Sequence, residues 1–137
     1  MRLRRPVTLG VRTVVYDGSG RICMIRHTYR PGWHFPGGGV KRWETMEQAA
    51  LRETREEAGV AAEHVAHMIG LYANFRPERS DHVVLYEIRE WQPVPMHSLE
   101  IAEVAFFAPE AMPADISGPT RRRLDEMAGR RQADGLW

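Results

Sequence analysis

Glu53, Glu56 and Glu57 fall at positions i, i+3 and i+4 of a stretch, Thr45–Ala58, whose pattern predicts a helix. At ~100° per residue, the three carboxylates lie within an arc of roughly 100° and share one face. Like charges at this spacing repel by roughly 0.3 kcal/mol per pair. The plain reading of such a triplet is a solvated acidic face with Arg52 and Arg55 as local partners. A hard divalent cation reverses the electrostatic argument, because carboxylate oxygens bind Mg²⁺ or Mn²⁺ and the ion supplies the missing positive charge. Mg²⁺ keeps several of its waters, which leaves positions for phosphate oxygens of a substrate.

The residues around the triplet decide between the two readings. They run Gly38, five residues, Glu44, seven residues, then Arg52-Glu53-Thr54-Arg55-Glu56-Glu57-Ala58-Gly59-Val60. Seven such positions, each met at about 6% from average usage, make a chance match on the order of one in ten million. The segment Gly38–Val60 resembles the Nudix box: a glycine, a glutamate, then an arginine, three glutamates and a final glycine at set spacings. Thr54 stands where that family usually has an aliphatic residue; its methyl can pack inward and its hydroxyl can bond a carbonyl one turn back. Trp43 precedes Glu44 where many relatives have glycine, either lining a substrate mouth or capping the sheet.

The resemblance implies metal-assisted hydrolysis of a pyrophosphate bond in a nucleoside diphosphate-linked compound: a nucleoside triphosphate, a nucleotide sugar or an oxidised nucleotide. It implies Mg²⁺, with Mn²⁺ as a substitute, held by Glu53, Glu56, Glu57 and the carbonyl of Gly37 or Gly38. Glu53 or Glu56 is then the first choice of general base, and Glu100 or Glu103, ahead of a late strand, the second. Glu44 and Arg52 form a supporting pair that orients the ligands, although Glu56, four residues on, competes for Arg52. Arg26, His27, Arg30, Lys41, Arg76 and Arg79 are candidates for phosphate contact, and Trp43 for contact with the rest of the substrate. Trp33, Tyr72 and Phe75 could stack on a base, yet aromatic residues in strands are more often core. The rival reading is a non-catalytic Nudix-like nucleotide-binding or sensor module; the complete glutamate set argues against it. An isomerase on the same scaffold needs a catalytic cysteine, and removal of an RNA 5′ end would want a basic groove.

The elements that must position these residues can be traced along the chain. Val7–Tyr16 and Arg21–Arg26 read as strands joined by the turn Asp17–Gly20. After the loop His27–Gly32, Trp33–Phe35 reads as a short strand ended by Pro36-Gly37-Gly38-Gly39. Thr45 with Gln48 forms a capping box, and Gly59 is placed for a left-handed helix C-cap. Val65–Phe75 and His82–Glu90 read as strands flanking the polar turn Arg76–Ser80. Trp91–His97 reads as a loop and Ile101–Phe107 as a last strand. Ser117-Gly118-Pro119 opens a helix, Thr120–Arg130, with Leu124 and Met127 on its inner face. The expected fold is α/β, a Nudix-like α/β/α sandwich with a mixed sheet flanked by helices, in one domain over residues 1–137.

Composition narrows the surroundings. At 137 residues, 43% hydrophobic and 27% charged, the chain is that of an ordinary globular domain. No apolar run approaches the ~20 residues of a membrane span, and the basic start Met1–Arg5 has no apolar segment after it to make a leader. With a net charge of +1, bulk electrostatics give no support to a nucleic-acid partner. The one cysteine, Cys23, reads as a small buried residue, and His64, His67 and His82 lack zinc-ligand spacing. The expected setting is the cytoplasm, the expected partner a small nucleotide-type molecule, with homodimers frequent in the family.

Overall fold

The computed structural model describes residues 6–137. The basic segment Met1–Arg5, read above as no leader, lies outside them. Strands β1 (Val7–Val15) and β2 (Ile22–His27) are followed by two short strands, β3 (Trp33–His34) and β4 (Gly37–Gly39). Helix α1 (Met46–Ala58) leads into β5 (Val60–Ala61), then the hairpin β6 (His67–Arg76) and β7 (Arg79–Ile88). The chain closes with β8 (Gln92–Pro93), β9 (Ile101–Phe107) and α2 (Gly118–Met127).

The central sheet is mixed, in the order β4-β1-β7-β6, with β1 and β7 parallel and the outer pairs antiparallel. A second, antiparallel sheet runs β3-β2-β9. Alternation along β1 sends its side chains to two cores. Val11 meets Val84, Tyr86, Ala49 and Ala50, which seats α1 on one face. Val14 joins Leu85, Tyr72, Trp33, Phe35 and Leu124, which seats β3 and α2 on the other. Helix, sheet and helix thus stack as an α/β/α sandwich.

Helix α1 is fixed at both ends by its own sequence. The Thr45 side chain accepts from the Gln48 N–H at 3.1 Å, and the Gln48 side chain accepts from the Thr45 N–H at 2.9 Å. Gly59 closes the helix at φ 67° and donates its N–H to the Arg55 carbonyl. Its buried face is tied to β1 by a hydroxyl pair, Thr13 Oγ1 to Thr54 Oγ1 at 2.9 Å. The Thr54 hydroxyl also reaches the Ala50 carbonyl one turn back at 2.6 Å.

Four expectations need correction. The glycine triplet is a strand: Gly37, Gly38 and Gly39 pair with Arg12, Val11 and Gly10 of β1. The hairpin strands run through Arg76 and Arg79, which face each other, so only Pro77 and Glu78 form the turn. The stretch Trp91–His97 is not all loop, because Gln92–Pro93 pairs with Val60–Ala61. Helix α2 is shorter than expected; Leu124 is buried at 8% exposure, while Met127 at 37% faces solvent. Among the described residues, no helix is long and apolar enough to cross a membrane.

Candidate active site

The glutamate face of α1 is organised by one guanidinium. Arg52 donates through Nε to Glu44 Oε2 at 2.7 Å and through Nη2 to Glu44 Oε1 at 2.9 Å. Its Nη1 reaches Glu53 Oε1 at 3.0 Å and Glu56 Oε2 at 3.3 Å, and Nη2 also reaches the Gly39 carbonyl at 3.0 Å. The competition foreseen for Arg52 is therefore resolved by sharing, with the two-pronged contact going to Glu44. These bonds, with a further one from the Lys41 N–H, draw the Glu44 carboxyl down to about 2. Arg52 is held firmly protonated, chiefly by Glu44.

Glu53 lies hard against the glycine strand. A Cβ built on Gly38 would sit 2.6 Å from Glu53 Oε1 and 2.7 Å from its Cδ. Position 37 is also closed to side chains, since a Cβ there would run into the Val11 carbonyl, and its φ of 154° suits glycine. Strand β4 thus brings bare main chain up to the carboxylates.

Glu57 occupies a different environment from its neighbours. It is 9% exposed, and its Oε1 accepts the Gly37 N–H at 2.8 Å. Its Oε2 stands 3.6 Å from His27 Nε2. Burial raises the Glu57 carboxyl to about 7, with the Gly37 N–H and Arg12 pulling the other way. Burial, with Arg30, His34 and Arg12 nearby, lowers His27 to about 4, so this imidazole is neutral at pH 7. Its Nδ1 accepts from Arg30 Nε at 3.3 Å, which leaves the ring hydrogen on Nε2, facing Glu57.

Next to this acidic wall opens a cavity of about 1060 Å³. Lys41, Arg76 and Arg79, expected from sequence, line it together with Arg30, and so do Arg12, Arg42 and Arg122, which were not singled out. Against these seven cations stand the carboxylates of Glu44 and Asp81. Arg12 reaches inward from β1, donating to the Phe35 carbonyl at 2.8 Å, and desolvation lowers its pKa. Arg79 Nε is buried with no hydrogen-bond partner among the described residues. A charge inside the apolar run of β1 was the one sequence signal for Arg12; Arg122 and Arg42 gave none.

Other expected residues lie apart from this group. The Arg26 guanidinium stacks over Trp33 at 5.4 Å and faces Glu103 and Asp115 at 3.9 and 4.0 Å. Glu100 is exposed and fixed by its backbone, its carbonyl accepting from the Thr28 N–H at 2.9 Å. Among the described residues, no hydrogen bond or ion pair joins its side chain to the glutamates of α1. Trp33 and Tyr72 are core, at 6% and 5% exposure, whereas Phe75 is 67% exposed. Trp43 does not cap the sheet: its side chain is 90% exposed.

The donor set of Glu53, Glu56 and the bare carbonyls of β4 is all oxygen, which suits a hard cation. Among the described residues, no three acidic, histidine or cysteine side chains close around one point. The Arg52 guanidinium takes that place between Glu44, Glu53 and Glu56, and its positive charge marks where a cation is favoured.

The family model of the NUDIX domain matches residues 6–127. RNA pyrophosphohydrolases of Teredinibacter turnerae and Xanthomonas campestris are 45% and 42% identical over 56 and 55 residues, 40% of this chain in each case. Those stretches are 33% and 27% of the relatives, so the chain spans about a third of their length. Among solved structures, the MutT NUDIX hydrolase from Burkholderia pseudomallei superposes with a TM-score of 0.76 at 23% identity, over 88% of this chain and 97% of that one. The MutT protein from Methanosarcina mazei gives 0.77 at 18% identity, over 96% and 100%. At such identities the superpositions establish the fold.

Proposed function

Because the chain belongs to the NUDIX domain family, we propose that it hydrolyses a pyrophosphate bond in a nucleoside diphosphate-linked compound, with a divalent cation, Mg²⁺ or in its place Mn²⁺. The observation that carries this reading is the pairing of two walls. Carboxylates gathered on Arg52 stand beside a cavity lined by seven cationic side chains. A polyphosphate needs both, cations for its oxygens and carboxylates for a metal ion and for the attacking water.

Glu53, Glu56 and Glu57, with the Gly38 carbonyl, would hold the cation. When bound, it offsets charge on the diphosphate and makes attack by water easier. Arg12, Arg30, Lys41, Arg76 and Arg79 grip phosphate oxygens and fix the direction of the anhydride bond. Arg52 aims Glu53 and Glu56 by holding one oxygen of each. Glu56 is the better general base of the two. Its side chain is 53% exposed against 16% for Glu53, and its bond to Arg52 is the longer. It therefore has an oxygen free to take a proton from water.

A 5′-polyphosphorylated RNA is a second substrate class, favoured by the similarity to RNA pyrophosphohydrolases and by the seven cationic side chains lining the cavity. The test is to incubate the protein with nucleoside triphosphates, nucleotide sugars, dinucleoside polyphosphates and 5′-triphosphorylated RNA, with Mg²⁺ or Mn²⁺, and identify products by chromatography. Turnover of at least one compound is expected, abolished in Glu56→Gln. If no compound is cleaved with either metal, the chain is a nucleotide-binding module and not a hydrolase.

A further inference from the structure

The turn from Lys41 to Glu44 is closed by two hydrogen bonds. The Glu44 N–H donates to the Lys41 carbonyl at 3.2 Å, and the Lys41 N–H donates to Glu44 Oε1 at 3.0 Å. This geometry places Trp43 at φ 65°. Among the described residues, it is the one non-glycine position with positive φ. An L-residue with a large side chain is strained there, and glycine is not. Burial does not offset the strain, because the indole is 90% exposed. The Arg42 guanidinium lies over the ring, 5.3 Å from its centroid. Lys41 and Arg42, on the N-terminal side of Trp43, both line the cationic cavity, as does Glu44 after it.

A strained, exposed aromatic residue that returns nothing to folding points to something outside the fold. We infer that Trp43 is a stacking platform for the nucleobase of the substrate, which lies on the indole while its phosphates lie in the cavity. Arg42 covers one ring face, so the base takes the other, and the guanidinium strengthens the stack. Stacking of this kind tolerates any base, so Trp43 selects for a base-bearing compound over a bare polyphosphate and not for one particular base. This inference rests on the reading of the cavity as a phosphate site.

The experiment separates stacking from hydrolysis. Steady-state kinetics on GTP and on inorganic tripolyphosphate are compared for wild type, Trp43→Ala, Trp43→Phe and Trp43→Gly. Trp43→Ala and Trp43→Gly should lower the preference for GTP about tenfold, mainly through KM, while Trp43→Phe keeps most of it. Trp43→Gly should also melt roughly 3 °C higher than wild type, a gain that Trp43→Ala, still strained, does not share. Tryptophan fluorescence gives a readout independent of turnover. ATP, GTP, CTP and UTP should each quench wild type, and the quench should vanish in Trp43→Ala. Quenching that is lost in Trp43→Ala, without any turnover, would uphold the platform and remove the hydrolase reading. Quenching by none of the four nucleotides, a quench that persists in Trp43→Ala (from Trp137, which lines the cavity), or an unchanged preference in Trp43→Ala overturns the platform.

Discussion

Glu57→Gln tests the electrostatics of the site without any assumption about substrate. In the cation-free protein the Glu57 carboxyl is raised from its ordinary 4.5 to about 7, chiefly by burial. The folded state therefore binds this proton more tightly than the unfolded state does. Stability from this group is complete below the unfolded value and is lost as pH rises through about 7. The difference corresponds to about 3.5 kcal/mol at most. Residual hydration of a side chain 12% exposed trims it to roughly 2 kcal/mol. Glutamine carries no charge, and its amide oxygen can still accept the Gly37 N–H, so the variant avoids this loss. In EDTA at pH 8.5, Glu57→Gln should melt about 8 °C above wild type, and at pH 4 the two should nearly coincide. The lowered His27 costs stability as pH falls from 6.5 toward 4, but in both proteins alike, so it drops out of the difference. Millimolar Mg²⁺ at pH 8.5 should then raise the melting temperature of wild type and not of the variant. A gap of equal size at both pH values, or a variant less stable at pH 8.5, would refute the burial argument.

Other expectations follow from single contacts. Gly38→Ala pushes a methyl to within 2.6 Å of Glu53 Oε1; since a carboxylate can swing aside, melting should change by a few degrees while turnover falls roughly 100-fold. Arg52→Lys keeps the charge but loses the fork on Glu44, so kcat should drop about 10-fold or more, with circular dichroism unchanged. Thr54→Val keeps the shape yet strands the buried Thr13 hydroxyl, and urea unfolding should report a loss of about 1 kcal/mol.

What was legible in the sequence was whatever a short stretch decides for itself. The capping box at Thr45 and Gln48, the left-handed Gly59 and the bond from Thr54 to Ala50 lie within one helix and need no tertiary knowledge. The Arg52–Glu44 pair spans eight residues and was still visible through the box. The strand character of Gly37–Gly39 was not, because glycines carry no alternating side chains, and their pairing with Gly10, Val11 and Arg12 arises only when β1 arrives. Arg12 itself is a single charge in the strand Val7–Val15, with nothing local to show where it points. Its role depends on β1 lying between β4 and β7, which sets its guanidinium between the Glu57 side and the cavity. Arg122 and Arg42 belong to segments whose local pattern is that of any solvated surface.

The glycine strand has a further consequence for how the two walls work together. The carboxylates of α1 and the arginines of the cavity attract each other, and left alone they would pair off and quench the site. Strand β4 stands between them and presents only main chain. Gly37 gives its N–H to Glu57, Gly38 abuts Glu53, and the Gly39 carbonyl takes a bond from Arg52. Glu44, Glu53 and Glu56 are thereby held by one guanidinium, while Arg79 Nε is buried without a hydrogen-bond partner among the described residues. Of the cavity cations, Arg12 and Arg30 feel the Glu57 charge, and a phosphate entering the cavity competes with that carboxylate for them. Side chains at positions 37 and 38 would part the walls; their absence keeps opposite charges close enough to act on one anhydride bond.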